Sequence, residues 1–159
     1  MDIWASDKYK SLKDYSNVRK GIRLRFCKEI NLDLKKAVVS FVQWLRKSYE
    51  FPIRIPIYFK PGFSIKALDG DMVSAVFFEP SNYYDEPYIS IATGDYDELL
   101  EQFGRDNAIA AVLRTVAHEL THYFQWINNI ELTEIGYERQ AVRFADLIVG
   151  AYAQTREHP

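Results

Sequence analysis

Apolar residues recur at helical spacing in several segments of the chain, and each segment is bounded by residues that start or stop helices. Gly104 is expected to end a short helix, and Asp106 or Asn107 to cap the long helix that follows it. Thr133 has the same capping role at the start of the last helix. The pattern predicts four helices, over residues 32–49, 96–103, 106–127 and 134–154.

Between the first two helices, residues rich in β-formers alternate and are bounded by proline or glycine. Three strands are predicted, over residues 54–59, 72–78 and 88–93. Pro56 cannot donate to a sheet ladder, so the first of them is expected at an edge or in an irregular position. The order is a helix, three strands and then helices, which favours an α+β fold over a doubly wound parallel sheet.

Composition narrows the class of protein. The 159 residues, 48% of them hydrophobic, suit one domain spanning residues 1–159 with an ample core. Apolar runs are too short to cross a bilayer, and the N-terminus lacks the apolar region of a signal peptide, so no membrane association is expected. Cys27 is the single cysteine, which favours a reducing, cytoplasmic setting.

Charge is distributed unevenly along the chain. Residues 1–28 carry eight Lys/Arg and three Asp, whereas residues 29–159 carry twelve Lys/Arg and nineteen Asp/Glu. The basic segment is either an arm for nucleic acid or anionic membranes, or a segment that folds back onto the acidic body. Its apolar residues, including Trp4, Ile22, Leu24 and Phe26, favour the second interpretation. The acidic body makes direct nucleic-acid binding unexpected.

The strongest chemical signal is the sequence HELTH at residues 118–122, in the middle of the long predicted helix. Four residues advance a helix by about 400°, so His118 and His122 project from one face, and both can reach an ion about 2 Å away. Glu119 lies about 60° from His122 around the helix, where it can contact a water held by that ion. This arrangement is typical of zinc-dependent hydrolases, with Glu119 as general base.

A catalytic zinc site takes three protein ligands and leaves one position open. Glu138 is the favoured third ligand, because it heads an apolar stripe on the last helix, where a charge is costly without a partner. Glu134, one turn earlier, is the main rival, although an acidic residue in a first helical turn needs no further explanation. Cys27 and His158 are less suitable, since they lie on a different element and at the chain terminus. The stripe below Glu138 comprises Ala141, Val142, Ala145, Ile148, Val149 and Tyr152.

Two segments together, residues 116–122 and the run ERQAVRFA at 138–145, resemble the gluzincin type of zinc peptidase. The resemblance covers about 30 residues and is greatest to minigluzincins and to the domain of ImmA/IrrE-type peptidases. Gln140 stands where the latter often have an acidic residue, and the chain lacks their helix-turn-helix module. The resemblance implies His118, His122 and Glu138 as zinc ligands and Glu119 as general base.

The fold that this resemblance implies is zincin-like. It consists of a helix and a small mixed sheet packed on a long active-site helix, followed by a C-terminal helix that bears a ligand. The upper half would cover residues 1–127 and the lower half residues 128–159. An edge strand ahead of the active helix would pair with extended substrate, and residues 88–93 are the matching candidate.

Sequence therefore predicts a zinc metallopeptidase that acts on peptides or proteins, with the oligomeric state open. Three alternatives remain. The protein could bind zinc as a non-catalytic interaction module, it could hydrolyse a non-peptide amide, or its basic N-terminal segment could lie across an acidic cleft and keep it latent. Latency predicts that deletion of residues 1–25 raises activity. The residues considered as oxyanion donors are Tyr83, Tyr84, Tyr123, Tyr137, Tyr152 and Arg143.

Overall fold

A computed structural model describes residues 2–5, 19–67 and 70–155, and within them the chain is a mixture of helices and a small mixed sheet. The α+β class is therefore confirmed. The helices are α1 (Leu32–Ser48), α2 (Tyr96–Phe103), α3 (Arg105–Ile127) and α4 (Glu134–Gln154). The strands are β1 (Ile22–Phe26), β2 (Ile55–Lys60), β3 (Ile65–Lys66), β4 (Met72–Val73), β5 (Ala75–Phe78) and β6 (Tyr88–Ala92).

The main sheet has four strands in the order β1-β2-β6-β5. The first three run parallel, with Ile22 opposite Ile55 and Ile57 opposite Ile89. Strand β5 runs antiparallel to β6, and β3 and β4 form a separate hairpin-like pair. Because β1, α1 and β2 follow one another, the fold contains one crossover unit, and the remaining helices follow the sheet.

The expectation for Pro56 was wrong, because β2 lies inside the sheet between β1 and β6. Backbone groups alternate in direction along a parallel strand, and the N–H of Ile55 bonds towards β1, to the carbonyl of Gly21 at 2.9 Å. The missing N–H of Pro56 therefore points towards β6. Pairing with β6 begins only at Ile57, so the proline precedes that ladder and no ladder bond is lost.

The prediction of residues 88–93 as an edge strand was also wrong. Strand β6 is paired on both sides, with β2 and with β5. The edge strand next to it is β5, formed by part of the predicted strand 72–78. That segment is divided at Ser74, where Met72–Val73 pairs with β3 and Ala75–Phe78 pairs with β6.

The helices lie close to their predicted bounds, and α2 and α4 match them. Thr133 caps α4 as expected, since its side chain accepts a hydrogen bond from the Gly136 N–H. The N-cap of α3 was misplaced, because the helix begins directly after Gly104, before Asp106. Gly104 has φ +83°, so one residue in a left-handed conformation ends α2 and redirects the chain into α3.

Strand β1 was missed, because its sequence IRLRF lies in the segment treated as a basic arm. That segment does fold back where it is described. Ile3 and Trp4 are buried in the core, and the Trp4 indole N–H donates to the Thr121 hydroxyl of α3 at 3.1 Å. Residues 6–18, which were expected to fold back with the rest of the basic segment, lie outside the described residues.

Inside the described ranges, none of the helices offers a stretch of the length and apolar character that a bilayer crossing requires.

The core fills the space between the sheet, α1 and the buried face of α3. Helix α3 buries an apolar stripe at helical spacing, which comprises Ile109, Val112, Val116, Leu120, Phe124 and Ile127.

Replacing Trp4 should test how far the N-terminus supports this core. The side chain is 2% exposed, and its ring lies 4.8 Å from that of Phe124. Trp4→Ala should therefore lower the free energy of unfolding by about 3–5 kcal/mol, measured by chemical denaturation. Trp4→Phe, which keeps a ring but loses the hydrogen bond to Thr121, should cost less. Equal stability of Trp4→Ala and the parent chain would contradict the described packing.

The same packing changes the outcome expected for deletion of residues 1–25. The deletion would remove buried Trp4 and most of β1, so we expect loss of the folded protein instead of activation. Strand β1, within the basic segment, lies at the sheet edge opposite β5.

Candidate metal centre

Helix α3 places the two histidines of the motif side by side. The apolar stripe of this helix is fixed in the core, which turns the neighbouring face towards α4. His118 and His122 lie on that face, one turn apart, with ring centroids separated by 5.0 Å. Both rings are partly buried, so their orientation is constrained while their edges stay accessible.

Helix α4 supplies a carboxylate between the two rings. One oxygen of Glu138 lies 3.0 Å from Nε2 of His118, and the other lies 3.0 Å from Nε2 of His122. One ligand atom from each of these three residues lies within 4.8 Å of the others. The structure thus brings together the three side chains that the sequence analysis selected as metal ligands.

This donor set suits Zn²⁺. Zinc is commonly bound by imidazole nitrogens and carboxylate oxygens, and this cluster offers two of the former and one of the latter. Three protein ligands leave a fourth position for water. Tetrahedral ligands about 2.0–2.1 Å from an ion lie roughly 3.3 Å from one another. The separations between Glu138 and the two histidines therefore need little adjustment.

Glu138 is less buried than the sequence argument assumed. Its side chain is 62% exposed, so the cost of burying a charge does not explain its position. The stripe below it is also narrower than expected, because Val142 is 54% exposed while the other members are buried. The position of Glu138 follows from the packing of α4 on α3, which aligns the first turns of α4 with the histidines.

Glu119 lies beside the three-residue cluster but is not part of it. The residue is 7% exposed, and its side chain makes no hydrogen bond to another described residue. Burial, together with repulsion by the Glu138 carboxylate, raises the pKa of Glu119 to about 8. Without a nearby cation, the carboxyl group is thus mainly protonated at neutral pH.

Burial has the opposite effect on His118, because the charged form of an imidazole is the protonated one. Desolvation and the adjacent His122 lower the pKa of His118, and Glu138 opposes this shift. The environment therefore favours neutral His118, which is the form that coordinates a metal.

A cleft of about 640 Å³ opens over the cluster and contains both motif and sheet residues. One wall is formed by β5 and its flanks, and the other by the first turns of α4. The lining includes four glutamates and, among the described residues, no lysine or arginine. These glutamates are Glu79, Glu119, Glu134 and Glu138.

The remaining candidate ligands are not brought into the cluster. Glu134 lines the cleft, but its carboxylate does not join the two histidines. Cys27 is exposed and follows β1, at the opposite edge of the sheet from β5. His158 lies outside the described residues.

Most of the residues considered as oxyanion donors have structural contacts. The Tyr123 hydroxyl accepts a hydrogen bond from the Ile53 N–H and donates one to the Ile53 carbonyl. The Tyr152 ring packs against aromatic residues of α1. The Tyr83 hydroxyl donates to the Trp126 carbonyl. Tyr137 does line the cleft, and its hydroxyl donates to the carbonyl of Ile130 at 2.8 Å.

Sequence reasoning did not assign a role to Gln125, which contacts the site directly. Its side-chain oxygen lies 2.7 Å from Nδ1 of His122, and the residue is only 4% exposed. The usable signal was its position three residues after His122 on the same helical face. A buried amide at that spacing is within hydrogen-bonding reach of the ring.

Comparison with known proteins yields no family assignment: no family model, curated protein or solved structure matches this chain. The geometry described above is therefore the basis for inferring a function.

The raised pKa of Glu119 predicts how stability depends on pH without metal. The folded protein binds this proton more tightly than the unfolded chain, whose carboxyl pKa is near 4.5. The resulting stabilisation is present at low pH and is lost as pH rises towards about 8. In a chelator, the melting temperature should therefore fall between about pH 6.5 and 8.5, and Glu119→Gln should reduce this fall.

The pH window starts at about 6.5 so that the effect of Glu119 on stability is measured apart from the effect of His118. The lowered pKa of His118 gives a contribution of opposite sign, which is present above about 6.5 and lost on acidification. An identical slope of melting temperature in the parent chain and in Glu119→Gln would show that Glu119 does not titrate in this window.

Proposed function

We propose that this protein is a zinc-dependent metallopeptidase with a zincin-like fold, similar to the gluzincins. The observation that carries the proposal is the meeting of His118, His122 and Glu138 beside a buried Glu119, in the lining of a cleft of about 640 Å³. The three clustered side chains are the proposed zinc ligands, and Glu119 is the proposed general base.

Zinc, when bound, would lower the pKa of a water in its open position and polarise a substrate carbonyl. The buried carboxylate of Glu119 would accept the proton of the attacking water and then deliver it to the leaving amine. A positive charge in the cluster would offset the burial and the repulsion from Glu138 that favour the protonated form. The same ion would thus make Glu119 available as a base at neutral pH.

The proposed substrate is an extended peptide segment alongside β5. This strand is the edge of the main sheet and forms one wall of the cleft. An edge strand can pair its backbone with an extended chain, which would orient the scissile bond over the cluster. Val76 and Phe77, which line the cleft, would contact the side chains of that segment.

Two observations favour catalysis over a purely structural zinc site. Structural sites usually have four protein ligands, whereas three of the described residues meet in this cluster. The cluster also opens into the cleft, so a substrate can reach the position that the protein leaves open.

Turnover of a mixed peptide pool and of simple amides distinguishes a peptidase from a hydrolase of non-peptide amides. Zinc without any turnover would indicate an interaction module or a latent enzyme.

The first prediction of this proposal concerns zinc content. The purified protein should hold one Zn²⁺ per chain, and its affinity should fall as pH drops through about 6.5, because protonated histidine cannot coordinate. Glu138→Ala removes one of three ligands and should lose most of the metal, together with the stability that the metal contributes. Elemental analysis and thermal denaturation with and without a chelator measure both effects.

Glu134→Ala is the matched control, since it removes a glutamate from the same cleft and the same helix, one turn away. It should keep zinc at the parent stoichiometry. Full zinc in Glu138→Ala with loss in Glu134→Ala would make Glu134 the third ligand, and absence of zinc at neutral pH in unchelated protein would refute the metal centre.

The second prediction separates a base from a ligand. Glu119→Gln keeps the shape of the side chain but cannot accept a proton, so peptide turnover should fall by roughly a factor of 100 or more. Zinc content should stay at that of the parent chain, because Glu119 lies outside the cluster. Loss of zinc in this variant would place Glu119 among the ligands and contradict the proposed mechanism.

A further inference from the structure

We infer that Gln125 is a positioning residue that fixes His122 in its metal-binding tautomer and ties α3 to α4 on both sides of Glu138. The metal in this inference is that of the proposed function, whereas the tautomer and the tie between helices are properties of the chain itself. The inference rests on three hydrogen-bonding contacts of the buried Gln125 amide, one of them with the half-buried amide of Gln140.

The orientation of the Gln125 amide follows from its partners. A backbone carbonyl can only accept a hydrogen bond, and the carbonyl of Tyr137 lies 3.0 Å from the amide nitrogen of Gln125. The same nitrogen donates to the side-chain oxygen of Gln140 at 2.9 Å. Both amide hydrogens are thus used on α4, and the amide oxygen is left facing His122.

That oxygen determines which nitrogen of His122 carries the proton. It lies 2.7 Å from Nδ1 and can only accept, so Nδ1 must be the donor. In a neutral imidazole the lone pair is then on Nε2, where the Glu138 carboxylate, also only an acceptor, lies 3.0 Å away and competes for the proton while no cation lies between them. A metal needs that lone pair, so Gln125 presents His122 in the form that coordinates.

The same amide joins the two helices that carry the ligands. Tyr137 and Gln140, its two acceptors, lie immediately before and two residues after Glu138 on α4. Gln125 therefore limits sliding or rotation of α4 at the point where Glu138 has to meet both rings. Gln140 contacts Gln125 and not His122, so its effect on His122 is indirect and depends on Gln125.

The tautomer is tested without metal by ¹⁵N NMR, in chelated Glu138→Ala protein at about pH 8.5, where imidazole is neutral. Removing the Glu138 carboxylate leaves Gln125 as the acceptor that decides the position of the proton. We expect Nδ1–H at His122, and a shift towards Nε2–H, which free histidine favours in water, when Gln125→Leu is added. Adding Gln125→Glu instead should retain Nδ1–H, because a carboxylate oxygen can still accept this bond.

Zinc affinity is tested in the otherwise unchanged chain by competition with a chromogenic chelator. Gln125→Leu should weaken zinc binding by about 10- to 100-fold, as expected when the hydrogen-bond partner of a ligand histidine is lost. Gln140→Leu removes one of the two ties to α4 but keeps the contacts of Gln125 with His122 and Tyr137, so its loss of zinc affinity should be clearly smaller than that of Gln125→Leu. Val38→Ala, in the buried face of α1, controls for a general loss of stability.

Nε2–H at His122 in the Glu138→Ala protein with Gln125 intact would overturn the inference, and so would parent-like zinc affinity in Gln125→Leu. If Gln125→Leu does not fold, Gln125→Met carries the same two measurements, and the result with Gln125 intact is decisive by itself. A parent chain that binds no zinc would refute the proposed function, while the tautomer measurement would still decide the role of Gln125.

Discussion

The packing of α4 against α3 is the interaction on which the candidate site depends. The two histidines come from one helix, and the carboxylate that meets them comes from the other, so neither helix forms the cluster alone. Glu138 is largely exposed, which means that burial of its own side chain contributes little to its position. The apolar contacts below it, with the Gln125 amide beside it, fix the relative placement of the helices.

Patterns within single segments allowed much of the architecture to be predicted. Apolar spacing gave the helices almost to the residue, because their cores and caps are encoded within a few residues of each boundary. The pairing of His118 with His122 is equally local, since helix geometry fixes it once the helix is known. Apart from the resemblance to gluzincins, Glu138 was favoured over Glu134 by its place on a stripe, and part of that stripe, at Val142, is exposed.

Strand neighbours could not be predicted in the same way, because pairing joins segments that are distant in sequence. Each of the three predicted strands contributes residues to the main sheet, yet the edge was assigned to β6 when it belongs to β5. Strand β1 was missed, although IRLRF alternates clearly, because its arginines were counted with the charge of the segment around it. For the sheet edge, a tertiary partner decided the outcome, and no local pattern records that partner.

Electrostatics links the proposed ligands to the proposed base. The cleft gathers four glutamates without a lining lysine or arginine in the described chain, and two of them, Glu119 and Glu138, repel each other when both are ionised. In the metal-free protein this repulsion is relieved by a proton on Glu119. A divalent cation bound by Glu138 and the histidines would relieve it instead, and would displace that proton. Binding of zinc and ionisation of Glu119 are then coupled, because each makes the other more favourable. Such coupling would confine the active base to molecules that already hold the metal.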